Sequence, residues 1–362
     1  MKRSMKKLLL TLTLTTALPW ATTAADFLGG NLLVVRVGDG TTTLANNVGP
    51  LSILEITAAG GLQQSVNIPS GSGGLQTSGT ATSEGALVRN ADGNSWTVAG
   101  YVPPFGGSGS LSSRTAANAP RGYVTINSSA TLSSVTTLPS APYSGQNIRS
   151  GLASGSTTWF TGSGTASGSG LTYADGASTA TIQGVNARVL NLHNGDLYYS
   201  TGSGAQGLYK YSGTPTTATA ASSFLVGLAG QGTSPYDFAF APDGSALYVV
   251  DNAIGVQKFT FDGSVWSLAY NLTGAPSGSD RAYGLAVDFS GPNPEVYWTT
   301  PTDLWKVTDL GAAATGTSIL SAGPNYAFRG LDMVSVPEPT TAMLLVLGAA
   351  GVWAARSKRP RR

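Results

Sequence analysis

Short strand-like runs recur along the second half of this chain at intervals of 48 to 50 residues. Each interval contains one run with a tyrosine and a following run with a lysine, and the repeated residues are Tyr198, Tyr248, Tyr297, Lys210, Lys258 and Lys306. Another apolar run precedes each tyrosine, and turns rich in Gly, Asp and Asn separate the runs. Repetition at this period predicts small sheets stacked around a common axis, because one such sheet cannot bury its own apolar faces.

The clearest single unit is residues 238–251, with the sequence FAFAPDGSALYVVD. Its Pro-Asp-Gly turn lies between an inner strand and a second strand. This run resembles the blade motif of NHL-like, YVTN-like and gluconolactonase-like β-propellers, and the two neighbouring units resemble it loosely. The resemblance implies an all-β fold consisting of a single β-propeller.

Seven runs have the pattern of inner strands, and they are residues 85–89, 121–126, 147–152, 188–193, 238–241, 285–289 and 328–334. We therefore expect seven blades, with six or eight left open because residues 69 to 180 contain few strand signals. Nothing strand-like separates the last run from the C-terminal segment. We expect this run to join the N-terminal strands around residues 32 to 68 in one mixed blade, which removes an open sheet edge.

The C-terminus has three parts in a fixed order. The motif Val336-Pro337-Glu338-Pro339 comes first, residues 340–355 are uncharged and mostly apolar, and a basic tail follows. The charges of the tail are Arg356, Lys358, Arg359, Arg361 and Arg362. An apolar run beside a basic tail predicts a membrane segment with its end in the cytoplasm. A permanent anchor and a buried terminal helix are the alternatives.

This order of parts resembles the PEP-CTERM sorting signal, with Pro337, Glu338 and Pro339 matching its motif and Arg356 onward matching its tail. The resemblance implies recognition by an exosortase, a membrane-embedded cysteine protease, in a Gram-negative exporter that often makes exopolysaccharide. It also implies an inner-membrane precursor that is later released to the cell surface or the extracellular biofilm matrix.

The N-terminus predicts export as well. Lys2, Arg3, Lys6 and Lys7 precede the uncharged run 8–18, and small residues permit cleavage after about Ala24 or Ala25. The chain contains no cysteine, which excludes disulfides and thiolate metal sites. We therefore expect a signal peptide at residues 1–25, a propeller domain at 26–335 and a sorting signal with a transmembrane helix at 336–362.

The charge of the body argues against nucleic acid as a partner. The chain has 20 basic and 18 acidic residues, but nine of the basic ones and one acidic one lie in the terminal signals. The body thus keeps 11 basic and 17 acidic residues, a net charge of −6. Nucleic-acid binders instead need clustered Lys and Arg.

Few residues have an obvious catalytic character. His193 is the only histidine, which disfavours a zinc site and leaves one base at the rim of a channel. The carboxylates near strand ends are Asp237, Asp243, Asp251, Asp288, Asp303 and Asp332. Two or three of them could hold Ca²⁺, as in gluconolactonase-like enzymes. The tryptophans of the body are Trp96, Trp159, Trp266, Trp298 and Trp305, and strand positions favour packing over sugar binding.

Two functions remain after these observations. The first is a non-enzymatic surface or matrix propeller that binds exopolysaccharide or a matrix protein, with no catalytic residue and no cofactor. The second is a lactonase- or lyase-type propeller enzyme with a divalent metal in its channel. The sorting signal and the lack of an acid–base pair favour the first.

Overall fold

The computed structural model describes residues 24–218, 223–227, 234–272 and 281–335. These residues form strands and turns, and their one helical element is the 3-10 turn Leu111–Ser113. Nothing helical in these ranges has the length and apolar character that crossing a membrane requires. The leader, the motif Val336–Pro339 and the basic tail lie outside the described residues.

The strands group into blades of four. The first strands are β1 (Leu32–Val37), β2 (Gly49–Ile56), β3 (Leu62–Asn67) and the short β4 (Gln76–Thr77). Next come β5 (Leu87–Arg89), β6 (Ser95–Tyr101), β7 (Arg121–Asn127) and β8 (Thr136–Thr137), followed by β9 (Ile148–Ser154), β10 (Thr157–Gly162), β11 (Leu171–Ala174) and β12 (Thr179–Gln183).

The second half is more regular, as its sequence repeat predicts. It contains β13 (Ala187–His193), β14 (Asp196–Thr201), β15 (Gly207–Tyr211) and β16 (Ser223–Gly227), and then β17 (Pro235–Phe240), β18 (Ala246–Asp251), β19 (Gly255–Phe261) and β20 (Trp266–Leu272). The last strands are β21 (Leu285–Asp288), β22 (Glu295–Thr299), β23 (Asp303–Thr308), β24 (Thr317–Ser321) and β25 (Ala327–Met333).

The ring closes through the two ends of the body. Strand β25 pairs antiparallel with β1, from Leu32 opposite Met333 to Val37 opposite Ala327, and β2 and β3 complete this blade, which we number 1. Blades 2 to 6 follow in chain order, with β5, β9, β13, β17 and β21 as their inner strands. Each inner strand contacts the next, and β21 contacts β25, which contacts β5. The predicted mixed closing blade is therefore confirmed.

The described residues contain six blades, so the expected number of seven was wrong. The error lies at residues 121–126, which we interpreted as an inner strand. In the structure β7 is the third strand of blade 2, because it pairs with β6, and β6 pairs on its other side with β5. Residues 85–89, which we also interpreted as an inner strand, do contain β5, so this blade was counted twice.

The repeated tyrosines and lysines are cross-strand pairs. Tyr198, Tyr248 and Tyr297 lie opposite Lys210, Lys258 and Lys306 in the second and third strands of blades 4, 5 and 6. The lysine Nζ atoms lie 5.4 to 5.8 Å from the tyrosine ring centroids. Each ring is buried against the following blade, as the sequence predicts, so the repeat is a device for packing one blade on the next.

Three arginines near the start of inner strands also connect neighbouring blades. Arg149 donates to Asn186 and to the carbonyl of Ala187 in blade 4, and Arg188 donates to Ser234 and the carbonyl of Pro235 in blade 5. Arg329 donates to the carbonyl of Gly79 ahead of blade 2. These guanidinium groups are used for structure at the end of the ring where the inner strands begin.

Candidate site at the channel mouth

The other end of the channel, where the inner strands finish, opens into a cavity of about 550 Å³. Its walls are the ends of β13, β17, β21 and β25 together with Arg89. A second cavity of about 250 Å³ lies next to it and shares several lining residues, among them Arg89, Asn191 and Asp332. We call the first the mouth cavity and the second the channel cavity. Together they have the size of a small-molecule pocket, which is typically about 300 to 1,000 Å³.

One wall of the mouth cavity is a stacked pair of rings. The rings of His193 and Phe240 lie 4.5 Å apart at an interplanar angle of 20°. Tyr198 supports Phe240 from 4.8 Å, and Trp266 lies 5.8 Å away on another side. Both His193 and Phe240 are half-buried, because they finish β13 and β17 at the rim. The sequence thus placed His193 correctly at one rim of the channel.

His193 has the properties of a neutral aromatic surface at physiological pH. Burial lowers the pKa of its imidazole from 6.5, and the nearby ammonium of Lys210 lowers it further. Asp196 opposes this with its negative charge. The His193 Nε2 atom lies 3.1 Å from Asn194 Nδ2, so one ring nitrogen is already engaged by the neighbouring turn.

The polar wall is an ion pair between blades 1 and 2. Arg89 Nη2 lies 2.9 Å from Asp332 Oδ1, and the indole Nε1 of Trp96 donates to Asp332 Oδ2 at 2.7 Å. Arg89 also donates to the carbonyl of Met333 and to the hydroxyl of Ser335. This arginine therefore fixes the last described residues of the chain at the edge of the mouth cavity.

The deeper carboxylate is Asp237, which lines the channel cavity and is 7% exposed. It accepts hydrogen bonds from the amides of Phe238 at 2.9 Å and Leu285 at 3.0 Å. Burial nevertheless raises the pKa of Asp237 well above its ordinary value, because these two bonds do not offset the loss of solvent. Asn191, which lines both cavities, donates to the carbonyl of Phe238 at 3.0 Å.

The remaining candidate carboxylates have local structural partners. Asp243 accepts from the amide of Ser245, and Asp251 accepts from the amides of Ser234 and Ala253. Asp303 accepts from the hydroxyl of Ser318, and Asp288 at the cavity rim accepts from the amide of Ser290. Across the described ranges no three His, Asp or Glu side chains come together as a metal-binding group.

The tryptophans are packing residues more than surface residues. Trp96, Trp159 and Trp298 are at most 2% exposed. Trp305 stacks on Trp298 at 6.0 Å, and Trp266 stacks on Phe261 at 5.0 Å on the outer strands of blade 5. Two of them contact residues that line the mouth cavity: Trp266 packs on Phe240, and Trp96 donates to Asp332.

The sequence did not predict a role at the mouth cavity for three of its residues, namely Arg89, Asn191 and Phe240. Asn191 and His193 occupy alternate positions of one inner strand, so alternation could have identified Asn191 once His193 was placed at the rim. Phe240 lies in the blade motif, where we assigned only the turn and the tyrosine. Arg89 is recognisable only after ring closure, because Asp332 is 243 residues away.

Comparison with known proteins identifies the C-terminal segment. Residues 335–359 match the PEP-CTERM protein-sorting motif. The match includes Val336–Pro339 and the first three tail charges, while Arg361 and Arg362 lie beyond it. The motif implies an exported protein that is sorted by an exosortase and held in the membrane before processing. No curated protein matches the chain.

The chain also has remote similarities to solved structures. A chain of the nidogen/laminin complex has a TM-score of 0.47 at 13% identity, covering 84% of this chain and 98% of that one. The Pseudomonas aeruginosa periplasmic gluconolactonase has a TM-score of 0.45 at 14% identity, covering 79% and 82%. Neither similarity bears on what this chain binds.

Proposed function

We propose that this chain is an exported six-bladed propeller that binds a saccharide segment of extracellular polysaccharide in the mouth cavity without chemical change. The observation that carries the proposal is the cavity itself, which places a stacked aromatic wall opposite fixed polar groups. A sugar unit has apolar ring faces and polar edges, so it needs both kinds of surface. A small, mostly preformed pocket also suits a saccharide better than a broad protein surface.

Each wall has a distinct role in this proposal. The half-buried rings of His193 and Phe240 offer the apolar face, and Leu285 and Met333 extend it. Asn191 and the Arg89–Asp332 pair orient hydroxyl groups through hydrogen bonds. Because Asp332 already has three hydrogen-bond donors, from Arg89, Trp96 and the amide of Met333, its position is fixed before a ligand arrives.

Binding without turnover follows from how the carboxylates are engaged. General acid–base catalysis needs a carboxyl group or imidazole free to exchange a proton with the ligand. Asp332 is held by Arg89 and Trp96, and Asp237 accepts two backbone hydrogen bonds. The lactonase-type alternative would in addition require a divalent metal held in the channel.

The route to the surface follows from the sorting motif. An exosortase would process an inner-membrane precursor near Pro337–Pro339 and release the propeller to the cell surface or matrix. Ser335, the last described residue, lines the mouth cavity, so the sorting signal is joined to the propeller at this face. The precursor would then present its binding face to the membrane, and processing would free that face.

Binding can be tested by titrating exopolysaccharide oligosaccharides from the native host into the full-length chain in mild detergent. We expect Phe240→Ala to weaken binding at least tenfold, because it removes half of the stacked wall. Phe261→Ala is the matched control, since Phe261 lies outside the mouth on an outer blade edge. Equal affinity for both variants, or shortening of the oligosaccharides in mass spectra, would contradict the proposal.

A further inference from the structure

A separate polar cavity of about 330 Å³ lies on blade 1, away from the mouth cavity and the channel cavity. It is lined by residues of β1, β2 and the segment after β3, together with Asp39 and Tyr326. Arg36 and Ser52 face each other across β1 and β2 at its floor. We call this the Arg36 cavity.

Arg36 differs from the other cations of the body. Ten of the eleven basic side chains in the body use a terminal nitrogen in an ion pair or a hydrogen bond. Arg36 bonds only through Nε, to the Ser52 hydroxyl at 3.3 Å, and its two Nη atoms have no described acceptor. Neither Nη atom is among the buried unpaired side-chain atoms of the described residues, so both are accessible to a ligand that enters the cavity.

The guanidinium group is also fixed in orientation. Its Cζ atom lies 4.0 Å from the centroid of the Tyr326 ring, which holds the planar group by a cation–π contact. Gly40 packs against this ring so closely that any Cβ there would touch it at 2.7 Å. Tyr326 therefore lies between Arg36 and the loop of residues 39–42, and its ring limits the orientations of the Arg36 guanidinium group that lines the cavity.

A fixed guanidinium edge with two free Nη atoms matches a carboxylate, which accepts two parallel hydrogen bonds. The other lining groups include the hydroxyls of Ser52 and Ser70 and the amide of Asn67, which suit a ligand rich in hydroxyl groups. A peptide carboxylate would be expected to bring side chains that need apolar contacts. The cavity therefore favours an acidic sugar over an acidic peptide.

Asp39 is the group that opposes an anion here. Its Oδ1 atom accepts the amides of Thr41 and Thr42 at 2.8 and 2.7 Å, and Oδ2 accepts the Thr42 hydroxyl at 2.9 Å. These bonds lower the pKa of Asp39, with the amide of Thr42 contributing most, so the group stays ionised. The carboxylate is turned into its own loop, but its charge remains at the rim and should reduce the affinity for an anion.

We infer that the Arg36 cavity binds the carboxylate of a uronic acid unit in an acidic polysaccharide. This site rests on blade 1 alone and does not depend on binding at the channel mouth. It would give the propeller a charge-dependent contact with the polymer in addition to the neutral stacking surface.

The test compares digalacturonate with its neutral methyl ester, titrated into the full-length chain in mild detergent at low salt. We expect the acid to bind at least tenfold more tightly than the ester, and Arg36→Gln to remove this preference. Arg281→Gln is the control, because Arg281 is exposed and, among the described residues, hydrogen-bonds only Asn252, at 3.5 Å. Phe240→Ala should leave the preference unchanged, which separates this site from the mouth cavity.

A second variant is expected to bind more tightly, a result that misfolding could not produce. Asp39→Asn keeps Oδ1 as the acceptor for both loop amides and removes the opposing charge, so we expect digalacturonate to bind several-fold more tightly. Equal binding of acid and ester, or an unchanged preference in Arg36→Gln, would overturn the inference. Tighter binding of an aspartate-rich peptide than of digalacturonate would overturn the assignment to a sugar.

Discussion

A substitution at Gly330 tests ring closure, because the inner strands of blades 1 and 2 approach each other closely at this residue. A Cβ added at this position would lie 2.7 Å from the carbonyl carbon of Ala86, 2.8 Å from the oxygen of Gly85, and closer still to the amide nitrogen of Leu87. All three are backbone atoms, so no side-chain rotation relieves the clash. The strands would have to separate by about 1.5 Å to reach ordinary contact distance.

The cost of Gly330→Ala has two parts. Overpacking of this kind costs about 1 to 3 kcal/mol. Separation of the strands also breaks the hydrogen bond from the Gly330 amide to the Gly85 carbonyl, at 3.0 Å, and an unpaired buried group costs about 1 to 3 kcal/mol. We therefore expect a loss of about 4 kcal/mol, which lowers the folding equilibrium constant about a thousandfold.

The assay is equilibrium urea denaturation of the full-length chain, followed by tryptophan fluorescence. Gly291→Ala serves as the control, because its nearest neighbour would be the Asn293 oxygen at 3.4 Å and Gly291 lies in an exposed turn. We expect the control to unfold within about 0.5 kcal/mol of the wild type. If Gly330→Ala unfolded at the same urea concentration as the control, the inner strands of blades 1 and 2 could not be adjacent.

Three further predictions concern stability, binding and processing. Asp309 accepts hydrogen bonds from Lys258 at 2.8 Å and from two tyrosines, so Asp309→Asn should lower the free energy of unfolding by about 3 kcal/mol. Glu295→Gln, at a more exposed ion pair, should lower it by under about 1 kcal/mol in the same denaturation assay. Burial raises the pKa of Asp309, but the three side-chain donors outweigh burial, and the net shift of the pKa is downward. The stability difference between wild type and Asp309→Asn should therefore be complete above about pH 4 and shrink as the pH falls below that value. Because the pKa of His193 is lowered from 6.5, binding of neutral oligosaccharide should be constant from about pH 7.5 to 8.5, and a titration midpoint above pH 6.5 would contradict the neutral assignment. Replacing residues 337–339 with alanine should trap the precursor in the inner membrane, and wild-type surface protein that still yields tail peptides in mass spectra would indicate a permanent anchor.

The sequence predicted those parts of the fold that repeat locally. Tyr198 and Lys210 are 12 residues apart in adjacent strands of one blade, so their alternation shows their pairing and the tyrosine's burial between blades. The closing strand was likewise recognisable from its pattern. The number of blades was not, because β7 alternates like an inner strand and was counted in addition to β5, the true inner strand of the same blade.

The candidate sites depend on contacts that a local pattern does not contain. Arg89 meets Asp332 across 243 residues, and Arg36 meets Tyr326 through the same closure of the ring. Neither arginine has a sequence neighbour that signals its partner. What the sequence did provide was His193 near the rim, because the end of an inner strand must lie at one end of the channel.

The most direct measurement is hydrogen exchange of the full-length chain with and without exopolysaccharide of the native host, together with the length distribution of the polymer afterwards. We predict slower amide exchange in segments 191–193, 239–242 and 285–290 around the mouth cavity, and a polymer of unchanged length. Unchanged exchange in all three segments, or a polymer shortened by the protein, would contradict the account of a binding propeller.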